Sequence, residues 1–136
     1  HGKPMPVSDL AVLLSQMRPE LHSGRYAFVT LPQGCSLDQS RIVASIREPE
    51  GLSVIQAEED AVDLRLPIAF IAAWITLAVN SDLAAVGLTA AFSTALGQAG
   101  ISCNVVAGVH HDHLFVPVDQ AQQAMAVLHA LQQTVT

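Results

Sequence analysis

Histidine is concentrated in GVHHDHLFVP, residues 108–117, where His110, His111 and His113 surround a lone Asp112 between two apolar runs. Of the 6 histidines in the chain, a fourth, His129, stands further on. Imidazoles at this density suit two chemistries, metal ligation and proton transfer. On a strand, His111 and His113 face one way and His110 and Asp112 the other. The His111/His113 pair can bind zinc, but a zinc site needs one or two more ligands. No Cys, Glu or Asp is positioned by the sequence to supply them. Acid–base work by a His–Asp pair needs an oriented nucleophile or a bound substrate. No serine or cysteine stands beside a glycine-rich elbow, and Cys35, in PQGCS, lies in a loop without a designated partner. The alternative is a hairpin tip, with a two-residue turn at His111–Asp112 or one residue either side, since Asp and His tolerate left-handed turn positions. The expectation is therefore no catalytic set, no cofactor and no metal, with His111 and His113 the weak candidates for one.

A second place for chemistry lies upstream, in AVNSDLAAVG, residues 78–87. It ends a buried strand and opens a helix, whose first-turn amides can receive a carboxylate. Ser81 or Asp82 can cap those amides instead. Gly87 falls one turn inside the expected helix, where glycine costs about 1 kcal/mol relative to alanine. Either close packing or a ligand would need that space. Asn104 is a polar residue in the middle of an apolar strand, open to a ligand, another subunit or nearby backbone. His129 needs only solvent or a helix dipole to explain it. The glycines of GLTAAFSTALGQAG sit in and after a helix, so they form no phosphate-binding turn. The acidic run Glu58, Glu59, Asp60, Asp63 reads as a solvated helix start and matches no calcium loop.

The elements that must position these residues follow from periodicity. DLAVLLSQMRP, 9–19, is a helix with Ser8 or Asp9 as cap, ending before Pro19. RYAFVTL, 25–31, is a strand, and SLDQS after it can hold only a short turn. RIVASIR, 41–47, and LSVIQA, 52–57, form a hairpin through EPEG, and AEEDAVDL, 57–64, is a short acidic helix. FIAAWITLAV, 70–79, reads as a central strand covered on both faces. The helix LAAVGLTAAFSTALGQA follows, with Leu88, Phe92, Ala95, Leu96 and Ala99 as its stripe and Gly100 as left-handed cap. ISCNVVAGV and HLFVPV are the next strands, with Cys103 buried in the first. Asp119 caps a last helix whose inward residues are Ala121, Ala124, Met125, Leu128 and Leu131.

From residue 70 the order is strand, helix, strand, strand, helix, a β-α-β-β-α-β unit without its last strand. RYAFVTL is the expected donor to the open sheet edge. VIQAEEDA, 54–61, echoes LFVPVDQA, 114–121, at an offset of 60 residues, which supports a reduced copy of the unit in the first half. The expected division is residues 1–19 (a helix behind His1–Pro4, which read as added ahead of a native Met5), 20–66 as the reduced unit, and 67–136 as the C-terminal unit. Strand 26–31 would complete the sheet of the latter.

Bulk composition excludes several classes. Hydrophobic residues make up 51% of the 136 and charged residues 13%, half the usual share of about 25%, so a folded domain with an apolar, interface-forming surface is expected. A net charge of −6 with only 6 Lys and Arg excludes a phosphate-backbone patch, and 4% aromatics leave few stacking platforms, so no nucleic acid partner is expected. Two isolated cysteines point to a reducing compartment. The start lacks a signal peptide, and LPIAFIAAWITLAVNS is too short to span a bilayer. A cytoplasmic location, away from membranes, is expected.

The run VGLTAAFSTALGQAGISCNVVAG followed by HDHLFVP, with IREPEGLSVI as its counterpart in the first half, resembles the ACT-domain family over roughly residues 20–133. The similarity is greatest to a bacterial group of small proteins with tandem ACT-like units. It implies an α+β, ferredoxin-like fold in two pseudo-repeated units, the first reduced. It also implies a regulatory or sensor module, acting as a homodimer, that binds a small molecule, an amino acid first, at a domain or subunit interface. Carried over by residue, the pocket would be Asn80, Ser81, Asp82, Leu83, Val86 and Gly87 in the strand-to-helix loop. Asn104, Val105 and Val106 would stand on the neighbouring strand. The competing expectation is a ligand-free structural or protein-interaction module with an unidentified protein partner.

Overall fold

The computed structural model describes residues 7–36, 38–78 and 87–133, with side chains from Leu10 onward. Two compact units result, Ser23–Ala73 and a second built from the chain up to His22 together with Trp74 onward. The elements are α1 (Val7–Gln16), β1 (Arg18–Leu21), β2 (Tyr26–Leu31), β3 (Ile42–Glu48), β4 (Gly51–Ala57), α2 (Glu58–Asp63), β5 (Ile68–Ala78), α3 (Leu88–Gln98), β6 (Asn104–Ala107), β7 (Asp112–Pro117) and α4 (Ala121–Gln133). No described helix is long and apolar enough to cross a membrane.

In the unit Ser23–Ala73 the strand order is β3-β4-β2-β5. β2 pairs antiparallel with β4 from Tyr26↔Ala57 to Leu31↔Leu52, and with β5 over Tyr26↔Ala72 to Val29↔Ile68. Alternation sends Ala27, Val29, Leu31 and Val54 to one face, where they form a core with Ala61 of α2. Where a ferredoxin-like unit carries its first helix, this one has a single 3-10 turn, Gln39–Arg41, begun by Asp38 accepting from the Ser40 amide. Too little chain lies between β2 and β3 for more. Two ion pairs tie the unit to α2, Arg25 with Glu58 at 2.8 Å and Arg41 with Asp60 at 3.0 Å.

In the other unit β5, β7 and β6 follow in that order, and β1 pairs antiparallel with β5 from Arg18↔Ala78 to Leu21↔Ile75. Residues 18–21, of which Arg18 falls in the expected helix and 20–21 in no expected element, are thus a strand. Pro19 lacks an amide and ends the helical pattern, and β1 covers the edge of β5 along Ile75–Ala78; β2 borders β5 along Ile68–Ala72. The core holds Met17, Ile75, Leu77, Phe92, Leu96, Leu114, Val116 and Leu128, each fully buried. Burial of a side chain the size of Leu or Phe contributes about 1.5–3 kcal/mol.

Three boundaries differ from the sequence reading. α1 begins at Val7, which puts Ser8 and Asp9 inside it. Asp119 lies in a 3-10 turn, Val118–Gln120, so it does not cap α4. α3 begins at Leu88, and Gly87 is its N-cap with φ +101°, not a residue one turn inside. The expected caps Ser81 and Asp82 lie outside the described residues.

Candidate functional site

The densest polar arrangement of the second unit lies on one face of β5 and β7. Trp74 and Thr76 alternate with Ile75 and Leu77 and so share a face, as do His113 and Phe115 across from them. His22 follows β1 directly, its amide donating to the Trp74 carbonyl at 2.9 Å. This places the imidazole of His22 flat on the indole, with ring centroids 3.6 Å apart and planes 10° from parallel. His22 Nε2 lies 2.7 Å from the Thr76 hydroxyl, which lies 3.1 Å from His113 Nδ1. Trp74 Nε1 donates to the same Nδ1 at 3.1 Å.

The indole bond fixes one proton position in the row. An indole N–H can only donate, so His113 Nδ1 must accept, and the neutral ring carries its proton on Nε2. The Thr76 hydroxyl lies within hydrogen-bond distance of both rings, with its direction set by the His22 tautomer. The Thr76 hydroxyl, on a residue 6% exposed, is paired within the row, as burial demands. Burial pushes His113 below the usual imidazole range; positive charge on His111 and His22 adds to this and Asp112 opposes it. Burial likewise lowers His22, against the nearby Glu20 carboxylate. Asp112 is raised by burial, which His113 partly offsets. Both imidazoles of the row are therefore neutral donors and acceptors at neutral pH. The row has the means to hold and orient, and its hydroxyl is too buried to act as a nucleophile.

The hairpin before His113 turns earlier than its sequence suggests. β6 and β7 pair from Asn104↔Phe115 to Ala107↔Asp112, and Gly108 N–H donates to the His111 carbonyl at 2.9 Å. The two turn residues are thus Val109 and His110, not His111–Asp112 or its immediate neighbours. No left-handed Asp or His is involved: Arg65 is the one described non-glycine residue with positive φ. Gly108 sits in a tight place, since a Cβ there would meet the His111 carbonyl at 3.1 Å and His113 Nε2 at 3.3 Å. His111 is exposed, and among the described residues no three His, Cys, Asp or Glu side chains gather as a metal site.

Asn80, Ser81, Asp82, Leu83 and Val86 lie outside the described residues. Gly87 is explained by its left-handed φ and by Leu10 of α1, whose Cδ2 a Cβ would meet at 3.3 Å. The first backbone bond of α3 is Ala91 to Gly87 at 2.9 Å, and no side chain of a described residue caps this end. Asn104 is exposed on the edge strand β6, not enclosed by apolar neighbours. By register Asn104 and Val106 share the face of Phe115 and His113, whereas Val105 goes with Leu114 on the other. Cys103 precedes β6 half-buried, and burial pushes its thiol up to about 11.

His22, Trp74 and Thr76 were not singled out by sequence. The legible signal was Trp74 and Thr76 at spacing two in an apolar strand, the same parity as His111 and His113. His22 carries no signal, because it follows β1, and the sequence reading assigns no strand between the helix ending before Pro19 and Arg25.

Comparison with known proteins agrees with this architecture. A family model described as ACT domain matches residues 6–73, and a second ACT domain model matches residues 70–130. No curated protein matches. A Vibrio cholerae protein of unknown function, described as a possible transport protein, is 44% identical; the match covers 93% of this chain and 98% of that one, with a TM-score of 0.84. Aspartate kinase from Clostridium acetobutylicum shares the fold at 7% identity and TM-score 0.60, over 86% of this chain and 34% of that one. The regulatory subunit of aspartate kinase from Thermus flavus does so at 9% identity and TM-score 0.54, over 85% and 96%. Neither matching family model is that of a catalytic domain. With two such models matched in succession on two units of ferredoxin-like strand order, the chain belongs to the ACT-domain family.

Proposed function

We propose that this chain is a non-catalytic regulatory module that binds a small molecule, an amino acid in the first instance, and works as a homodimer. The observation that carries the reading is the succession of two ACT domains over nearly the whole chain. The Thermus flavus protein of the same fold is itself a regulatory subunit, and an aspartokinase III of this fold, from E. coli, is described in complex with aspartate and ADP.

The proposed site is the connection from β5 to α3, residues Asn80, Ser81, Asp82, Leu83, Val86 and Gly87, with Asn104, Val105 and Val106 of β6. The support is chemical. α3 opens without a side-chain cap among the described residues, and its first-turn amides suit a carboxylate. The exposed Asn104 offers both a donor and an acceptor to an amino group or carboxylate.

A thermal-shift screen of the twenty amino acids, followed by calorimetry, tests this. A ligand at a hundred times its Kd should stabilise the protein by about 2.7 kcal/mol. Ser81→Ala and Asn104→Ala should each weaken binding. A complete null from a correctly folded dimer transfers the reading to a protein-interaction module. Val105, 36% exposed on the edge strand, and Val109, 72% exposed at the hairpin tip, favour that second reading.

A further inference from the structure

β1 is weakly held for a strand that carries one end of a hydrogen-bonded row. It has four residues, pairs with β5 alone, and leaves Arg18 and Glu20 exposed. Short edge strands of this kind lie at the low-stability end of a fold. What fastens the end of β1 is His22. Its amide donates to the Trp74 carbonyl at 2.9 Å, its ring stacks on the indole at 3.6 Å, and its Nε2 reaches the Thr76 hydroxyl at 2.7 Å. On either side the chain is fixed. Met17 is fully buried behind α1, and Arg25 is paired with Glu58. The stretch free to move is residues 18–24.

The row does not accommodate charge on both rings. His22 and His113 stand one Thr76 hydroxyl apart, at 2.7 and 3.1 Å from it. Two imidazolium rings there repel, and a proton on His113 Nδ1 also meets the indole N–H of Trp74. Other charges facing His22 are few. On β1, Arg18 and Glu20 share its face by alternation. β5 has no ionisable side chain, and β7 adds Asp112 beside His113, with His111 in the turn before it. α4 packs on β1 and carries only His129, which is exposed. Glu20 draws a proton toward His22, but burial outweighs it and holds the ring below its usual range. Of the two rings His22 is the one that can leave, because β1 is an edge strand and β7 is paired on both sides.

We propose that His22 is a proton-operated latch: acid releases β1 from the edge of β5 while the rest of the unit stays folded. In the open form the ring is solvated and takes up its proton near the ordinary 6.5, so the open form binds more protons and acid favours it. Release bares the edge of β5 along Ile75–Ala78, the stretch that leads into the connection with α3. The latch needs no ligand and stands apart from the reading of that connection as a binding site.

Native-state hydrogen exchange of the full chain tests it, read by NMR at pH 7.5 and 5.5 in low urea and corrected for the intrinsic pH dependence of exchange. The amides of Glu20 and His22 should open independently of urea, since the opening bares little surface. Their opening should rise about tenfold on acidification, as for one ring neutral when closed and titrating normally when open. His22→Gln keeps a hydrogen-bonding side chain without a titrating group, and should show no acid acceleration. His113→Gln should show a smaller one than wild type, because His22 can then carry its charge in place. Each comparison is a ratio within one variant, so a loss of stability in the variant does not imitate the result. If these amides shared the urea dependence of Leu114 and Val116 in β7, β1 would leave only with the whole fold, and the proposal would be overturned. An acceleration kept in His22→Gln, or undiminished in His113→Gln, would overturn it as well.

Discussion

The indole of Trp74 donates to Nδ1 of His113 across 3.1 Å, and this single bond settles where the imidazole keeps its proton. Protonating His113 would put an N–H on that nitrogen, facing the indole N–H that now donates to it. Neither can turn away without losing packing, since Phe115 is fully buried behind the row and Thr76 is 6% exposed. Geometry and burial thus act in the same direction, toward a neutral ring.

The consequence for stability has a definite sign. His22 and His113 both titrate below their unfolded value of 6.5, so between the folded and unfolded pKa values the unfolded chain binds more protons. Their contribution is complete above pH 6.5 and is lost as pH falls through the folded values. Urea denaturation at a series of pH values should show stability level from pH 8 to 7 and declining toward pH 5, by about 1.4 kcal/mol for each unit of pKa depression. His113→Gln should flatten this decline. A wild-type stability that rose on acidification from pH 7 would contradict the assignment.

Fluorescence offers a site-specific readout, because Trp74 is the only tryptophan of the chain. His22 is stacked on it at 3.6 Å, and an imidazolium in that position both quenches the indole and interacts with its π face. Emission should fall as pH is lowered, with a midpoint below 6.5. In His22→Ala most of the pH response should vanish while the spectrum at pH 8 stays blue-shifted. A response unchanged in His22→Ala would assign it to another group.

How far this row could be foreseen depends on what each residue tells its neighbours in sequence. Periodicity located β2, β4, β5 and β7 within one or two residues, because apolar runs bounded by Pro and Gly leave few options. It missed β1, since a four-residue strand containing Pro19 carries too little pattern to oppose the helix before it. That error hid His22, whose position comes entirely from the pairing of β1 with β5. The HxH spacing marks His113 without naming a partner; register turns it to Trp74 and Thr76 and leaves His111 in solvent.

Gly87 makes a sharper test of the α3 boundary. Its φ of +101° is rarely adopted by L-residues, and a Cβ would sit 3.3 Å from Leu10 Cδ2. Gly87→Ala should therefore cost about 1–3 kcal/mol. Leu10→Ala in the same chain relieves the contact but not the dihedral, so it should add its own loss and restore little. Gly87→Ala stabilising the protein, as expected for glycine inside a helix, would show that α3 begins earlier.

The two cysteines should separate cleanly by chemistry. A thiol reacts as its thiolate, and burial pushes Cys103 up to about 11, which leaves it almost wholly protonated at pH 8. Cys35 is exposed in the turn after β2. With a chromogenic aromatic disulfide, one thiol per chain should react rapidly in native protein and a second only after denaturant is added. Cys35→Ser should remove the fast phase and Cys103→Ala the slow one. Cys103→Ala should also leave the Trp74 titration unchanged, because Cys103 precedes β6 and takes no part in the hydrogen-bonded row. Rapid labelling of both thiols in native protein would mean that the segment before β6 opens readily. Labelling of Cys103 in native protein would then measure that opening, and ligand bound beside Asn104 should retard it.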